Sequence, residues 1–220
     1  MFLHLLFKEL RLEWRSRARL SSSLVFALLT TLLFSFAVGP REKLLEELAG
    51  GFFWLSLFLA SHLSLLESMR TETENAALDG MRLLPVSLQS FFLAKALMNA
   101  GILFGLGLVV LLASIVLYGA HLELGLLPQL LILLLGSLAL SAPGTLYAAI
   151  VAQSHTRDVM LPLLLFPILI PALLAAVKGS SLAFAGDPMQ QFSSWATLLL
   201  AFNIVYWLLC VLLFPKVIEE

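Results

Sequence analysis

Six long apolar runs, at residues 20–38, 50–69, 91–118, 126–152, 159–177 and 195–214, constrain this chain more than any other feature. Each is near the roughly 20 residues that a helix needs to cross a hydrocarbon core about 30 Å thick. Backbone groups in lipid must find partners within their own segment, so each run is predicted to be a transmembrane helix. Hydrophobic residues make up 60% of the sequence and charged residues 12%, against roughly 45–50% and about 25% in soluble domains. The fold class that follows is all-α and integral to a membrane, with one transmembrane domain over residues 1–220.

The flanks set the orientation. Residues 1–19 place Leu3, Leu6, Phe7, Leu10 and Trp14 on one helical face and Lys8, Arg11 and Arg15 on the other, the pattern of an amphipathic helix lying in the interface. A cleaved signal peptide is the alternative, but the amphipathic part is long and no A-x-A pattern follows the first apolar run. Of the 13 Lys and Arg, ten fall on one side of the spans and three (Arg41, Lys43 and Lys178) on the other. By the positive-inside rule both termini and residues 67–95 are cytoplasmic. The outer connections are then 40–49, 119–125 and 178–194, too short for an extracytoplasmic domain.

Several residues inside the runs break the apolar pattern. Pro143-Gly144 in the fourth run and Pro162, Pro167 and Pro171 in the fifth are expected to kink or break their helices, since each proline removes a donor and crowds the preceding turn. The three prolines of the fifth run fall near one side, and that face is expected to pack inside the bundle and to serve as a gate or as a simple kink. Gly101 and Gly105 have the GxxxG spacing that lets helices approach closely, within the bundle or between subunits. His62, a turn or so inside the second run, is a ligand or gating candidate, with a neutral hydrogen-bonded imidazole as the plainer reading. His121, beside Glu123 in an outer connection, could meet heme or a metal or could simply be solvated.

Other functions find no footing. A net charge of −1 with no pooled basic patch excludes nucleic-acid binding. The single Cys210 cannot form an intramolecular disulfide. No C-x-x-C-H, H-E-x-x-H or G-x-x-x-x-G-K-[ST] motif occurs, and no pair of acidic residues faces across the spans. No catalytic residue, dedicated metal site or covalently held cofactor is expected, and any ATP must be bound by another chain.

The longest polar interval is residues 67–95, ESMRTETENAALDGMRLLPVSLQSFFLAK. Glu67, Glu72, Glu74 and Asp79 mix with Arg70 and Arg82, and Leu83-Leu84-Pro85 leads into the next apolar run. A connector could be much shorter, so the interval is expected to bind something; a solvated loop with local charge pairs is the alternative.

The plan of a basic amphipathic leading helix, six spans and a short acidic cytoplasmic helix between spans two and three resembles the permease subunits of ABC exporters of the ABC-2 type. More narrowly, the chain is similar to the heme-exporter permease family of cytochrome c maturation. Residues 70–79, RTETENAALD, with Leu83-Leu84-Pro85 and Ala94-Lys95, carry the first part of that likeness. Residues 141–146, SAPGTL, then Arg157 and the stretch 161–171, LPLLLFPILIP, carry the second. Ala76 and Asp79 depart from the glycine and glutamate expected there, which bears on the detail of any docking surface.

The resemblance spans nearly the whole chain and implies an ABC-2-type permease in the inner membrane, working as a homodimer with a pair of ABC ATPase subunits. It makes residues 70–90 a cytoplasmic coupling segment, with Glu67, Arg70, Glu72, Glu74, Asp79, Leu83, Leu84 and Pro85 docking the ATPase. It implies heme as the handled ligand, ATP hydrolysis on the partner, and heme-handling membrane proteins of cytochrome c maturation as neighbours. Export of a drug, lipid or glycan, or a scaffold that only docks partners, are the other readings of the same residues.

Overall fold

The computed structural model describes Leu6 and residues 17–74, 87–152 and 157–219, with 17–18, 71–74, 157–164 and 219 described in backbone only. Among the described residues six long helices follow one another: α1 Arg17–Val38, α2 Glu42–Glu74, α3 Leu88–Tyr118, α4 Leu126–Ala152, α5 Arg157–Ala185 and α6 Phe192–Glu219. All six are long and apolar enough to cross a membrane, and each contains one of the six apolar runs. The interfacial segment expected at 1–19 lies outside the described residues except for Leu6 and its last three residues.

Helix α2 is longer than its apolar run. Its 33 residues extend about 50 Å at 1.5 Å per residue, well beyond a hydrocarbon core of about 30 Å. The surplus carries Glu42, Lys43, Glu46 and Glu47 at one end and the acidic residues through Glu74 at the other. The outer connection expected at 40–49 is therefore only 39–41, because Leu44, Leu45, Leu48 and Ala49 continue the helical apolar spacing. Likewise α5 runs past Lys178 to Ala185, and the connection to α6 is only 186–191.

The turns are closed by local chemistry. Gly119 ends α3 in the left-handed region at φ 63°, where a side chain would be strained. Asp187 caps α6 by accepting from the backbone N–H of Gln191 and Phe192, both at 2.8 Å. The connection 119–125 is tied to α5 through Glu123 N–H to Phe184 C=O at 3.3 Å and Leu124 N–H to Ala183 C=O at 3.2 Å.

Helices α2 and α4 form the centre, and α1 and α6 are the most open to the surroundings. Helix α4 packs on α2, α3, α5 and α6, and α2 packs on α1, α3, α4 and α5. Val25, Phe26, Leu29, Leu33 and Phe36 of α1 and Ile204, Val205, Leu208 and Leu212 of α6 face outward, a surface that lipid covers without cost. Close approach in the middle depends on glycine. A methyl group on Gly136 would enter the Trp54 indole, and one on Gly50 would lie 2.9 Å from the backbone nitrogen of Ser181.

Two expectations about packing are corrected. Gly101 and Gly105 are exposed, and a Cβ on either would meet nothing within 4 Å; the glycine that packs is Gly107, against Leu133. The GxxxG pair is thus not an intra-bundle contact, because the face that α3 turns inward carries Leu103, Leu106, Gly107 and Val110 instead. Pro167 and Pro171 also face outward. The inward stripe of α5 is Leu165, Leu169, Ala172 and Ala176, and residues two positions from such a stripe lie on the opposite side of a helix. Neither α4 nor α5 is broken at its prolines.

Replacing Gly136 by Val is expected to overpack the Trp54 contact at a cost of about 1–3 kcal/mol. Gly101→Ala should instead be neutral or stabilise by up to about 1 kcal/mol, since alanine is the better helix former. Thermal unfolding of the two variants in mild detergent checks this; equal losses would return Gly101 to the packed interior.

Candidate functional site

The polar interval expected to dock a partner begins as a continuation of α2. Glu67 and Arg70 lie on successive turns there, with Arg70 Nη1 3.7 Å from Glu67 Oε2 and both side chains substantially exposed. Ion pairs of that kind add little to stability. Glu72 and Glu74 stand in the last turn of α2, in backbone only, and Asp79, Leu83, Leu84 and Pro85 lie outside the described residues. The chain re-enters helix at Ser87, whose hydroxyl accepts from the Ser90 backbone N–H at 3.4 Å and caps α3.

Directly inward of this interval is a buried polar node. Arg19, at the start of α1, is 6% exposed. Its Nη2 donates to Asn99 Oδ1 at 2.8 Å and to Ser64 Oγ at 3.1 Å, and Nε lies 3.3 Å from the same hydroxyl. Asn99 Nδ2 in turn donates to Thr145 Oγ1 at 2.8 Å. One guanidinium thus joins α1, α2, α3 and α4 at the end of the bundle that carries residues 67–95. Lys95, one turn from Asn99 on α3, is buried as well. Buried charge is tolerated only where hydrogen bonds replace water, so these four helix ends are held in fixed relation.

Sequence reading passed over this node. Arg19 counts as a flanking cation when only the apolar runs are considered, and Asn99 and Thr145 are single polar residues within those runs. The signal that could have found them is the rarity of amide and hydroxyl side chains in membrane helices without partners.

The proline and histidine candidates fall elsewhere. Pro143 and Gly144 are both buried in α4, with Gly144 against Leu65 of α2. In the two turns before Pro143, α6 supplies donors to α4 carbonyls: Asn203 Nδ2 to Leu135 C=O at 2.9 Å and Trp207 Nε1 to Leu138 C=O at 3.1 Å. Ser141 Oγ also donates to Leu138 C=O, at 3.0 Å. These bonds support the stretch of α4 that leads into its proline. The backbone of Pro162 continues α5, while Pro167 and Pro171 lie on its outer face, away from Pro143.

His62 is buried in α2, its Nδ1 donating to Phe58 C=O at 2.8 Å and its ring edge-on to Phe58. A carbonyl can only accept, so Nδ1 carries the proton and Nε2 presents a lone pair, with no partner of its own. His121 is exposed in the outer connection. Among the described residues no group of three or more His, Cys, Asp or Glu could hold a metal ion.

A bundle of six apolar helices with its charges confined to the ends, and one end tied by a buried cation, has the build of a transmembrane permease. The protein-family model described as CcmB protein matches residues 1–219. Heme exporter protein B of Pseudomonas aeruginosa is 33% identical over 202 residues, 91% of this chain and 90% of that protein. The protein of the same name from Paracoccus denitrificans is 32% identical over 201 residues, 90% of each chain, and that of Rhodobacter capsulatus is 34% identical over 171 residues, 77% of this chain and 78% of its own. The chain belongs to the CcmB protein family.

Asn99→Ala is expected to cost about 1.5–3 kcal/mol, because it removes one acceptor of a buried guanidinium. Thr145→Val should cost about 0.5–1.5 kcal/mol, and the double variant less than the two together, since both act on one chain of bonds. Unfolding in detergent with all three variants measures the coupling.

Proposed function

We propose that this chain is the membrane permease subunit of a heme exporter complex serving c-type cytochrome assembly, driven by ATP hydrolysis on a separate ABC ATPase subunit. The observation that carries the reading is the match to proteins named heme exporter protein B over about nine-tenths of both chains. The absence of a phosphate-binding loop from the sequence fits a division of labour in which another chain binds ATP. In this reading the chain is a transport subunit and not an enzyme, sits in the inner membrane with both termini cytoplasmic, and works as a homodimer beside heme-handling membrane proteins.

The interval 67–95 is the docking surface for the ATPase. Its two ends lie on helices, the start on α2 and the capped return on α3, which supports a surface held in relation to the bundle. A partner shifts a conformational equilibrium only if it binds one state more tightly than the other. The Arg19 node supplies the connection, because it ties α2 and α3, the two helices that bound the interval, to α1 and α4. Of the two candidates for heme contact, His62 is buried and offers an unpartnered Nε2, and His121 is exposed.

Reporter fusions after Glu220 and near Asp79 are expected to report cytoplasm, and fusions near Glu46 and Asp187 the outer side. An outer location for the Asp79 fusion would remove the docking surface from the side where ATP is found.

Co-expression with the candidate ATPase tests the docking itself. Asp79→Lys combined with Leu84→Glu should reduce pull-down, ATP hydrolysis and c-type cytochrome formation while leaving membrane insertion intact, each shielded charged contact being worth about 1–3 kcal/mol. Normal values in all three assays would make the interval a plain connector.

A further inference from the structure

One ridge of α4 carries polar side chains along most of its length. Gln129, Ser137, Ser141 and Thr145 recur at intervals of four and eight, and all are fully buried. The ridge turns toward α3 at both places where contacts fix it: Leu133 against Gly107, and Thr145 bonded to Asn99. From Gln129 to Thr145 it rises about 24 Å at 1.5 Å per residue, most of a hydrocarbon core about 30 Å thick. Beyond Thr145 the polar series continues through Asn99 to Arg19.

The two ends of this ridge are treated differently. Thr145 is bonded to Asn99, and Ser141 returns its proton to the Leu138 carbonyl. Ser137 Oγ and both amide atoms of Gln129 are buried with no hydrogen-bond partner. Within a membrane bundle an unpaired amide is among the more costly groups to enclose, and leucine would fill nearly the same volume without that cost. Packing therefore does not explain a glutamine here. Water does, since one molecule satisfies two to four such groups.

We propose that the α3–α4 seam is a water-binding polar path through the bundle, closed in this structure by Leu133 seated on Gly107. Leu133 is the only apolar member of the ridge positions 129, 133, 137, 141 and 145. It fits against α3 because residue 107 has no side chain, a Cβ there running into the leucine methyls. Separation of the two helices at this point joins the polar groups above and below it into one hydrated track. The inference holds whatever the cargo, because it concerns access of water and not the molecule carried.

The test uses the full chain in native membranes with Cys210 replaced by Ala. Ser137→Cys is treated with a small, charged thiol reagent, alone and combined with Leu133→Ala, and Leu112→Cys on the outward face of α3 serves as the control. Modification of Ser137→Cys that quickens with Leu133→Ala, while Leu112→Cys stays unmodified, is the expected result. In parallel, Gln129→Leu should leave the Tm in detergent unchanged or raised by up to about 2–4 °C, because the fold itself supplies the amide with no partner. Inertness of Ser137→Cys in both backgrounds overturns the proposal. So does a lowered Tm for Gln129→Leu, which would mean that the fold itself satisfies the amide. Both readouts are taken without heme or ATP, so their outcome is separate from that of the export reading.

Discussion

The enclosure of one guanidinium governs how the helices are arranged. Arg19 lies where α1 leaves the polar end of the bundle, and its charge is accommodated by Ser64 and Asn99. Those acceptors come from different helices, so the bond geometry fixes α1, α2 and α3 together, and Asn99 extends the constraint to Thr145 on α4. In lipid, where association gains little from the hydrophobic effect, such bonds and close packing supply the specificity. Helix α1 is otherwise among the least enclosed of the six, so this node and the Tyr118 hydroxyl, which donates to the Thr31 carbonyl at 2.8 Å, hold its two halves to α3.

Helix α4 is where packing and polarity meet. Gly136 admits Trp54, whose indole Nε1 donates to Ser180 of α5 at 2.8 Å, and Gly144 admits Leu65. On another side α6 bonds the α4 carbonyls of Leu135 and Leu138. A helix gripped through glycines on one side and through its carbonyls on another moves only with its neighbours. Its α3-facing ridge differs: two of its polar members lack partners, and only Leu133 against Gly107 interrupts it. The proposed path thus lies along the contact that is least committed.

The two faces of function are connected by this arrangement. The proposed docking interval starts as an extension of α2 and returns through the Ser87 cap into α3. In the proposed reading, a displacement of that interval would move two helices that already bond Arg19 through Ser64 and Asn99. The outward residues of α1 and α6 are apolar, and the exposed Gly101 and Gly105 lie on an outward side of α3.

Six spans were legible in the sequence because the need to satisfy backbone groups in lipid leaves one solution for an apolar run of that length. Residues 70–79 and 161–171 pointed to the family, since those short patterns are local. Facing was not legible. GxxxG spacing at Gly101 and prolines at 167 and 171 suggested inward faces, yet the structure turns them outward, because which side of a helix is buried depends on its neighbours. Loop limits were also misplaced, since Glu42 and Lys43 are polar but still helical. Arg19 became a core residue only when Asn99, 80 positions away, met it in space. The chain alone determined which segments enter the membrane; the tertiary structure decided which polar groups meet there and which are left without a partner, because hydrogen bonding between helices is a property of their packing and not of any one segment.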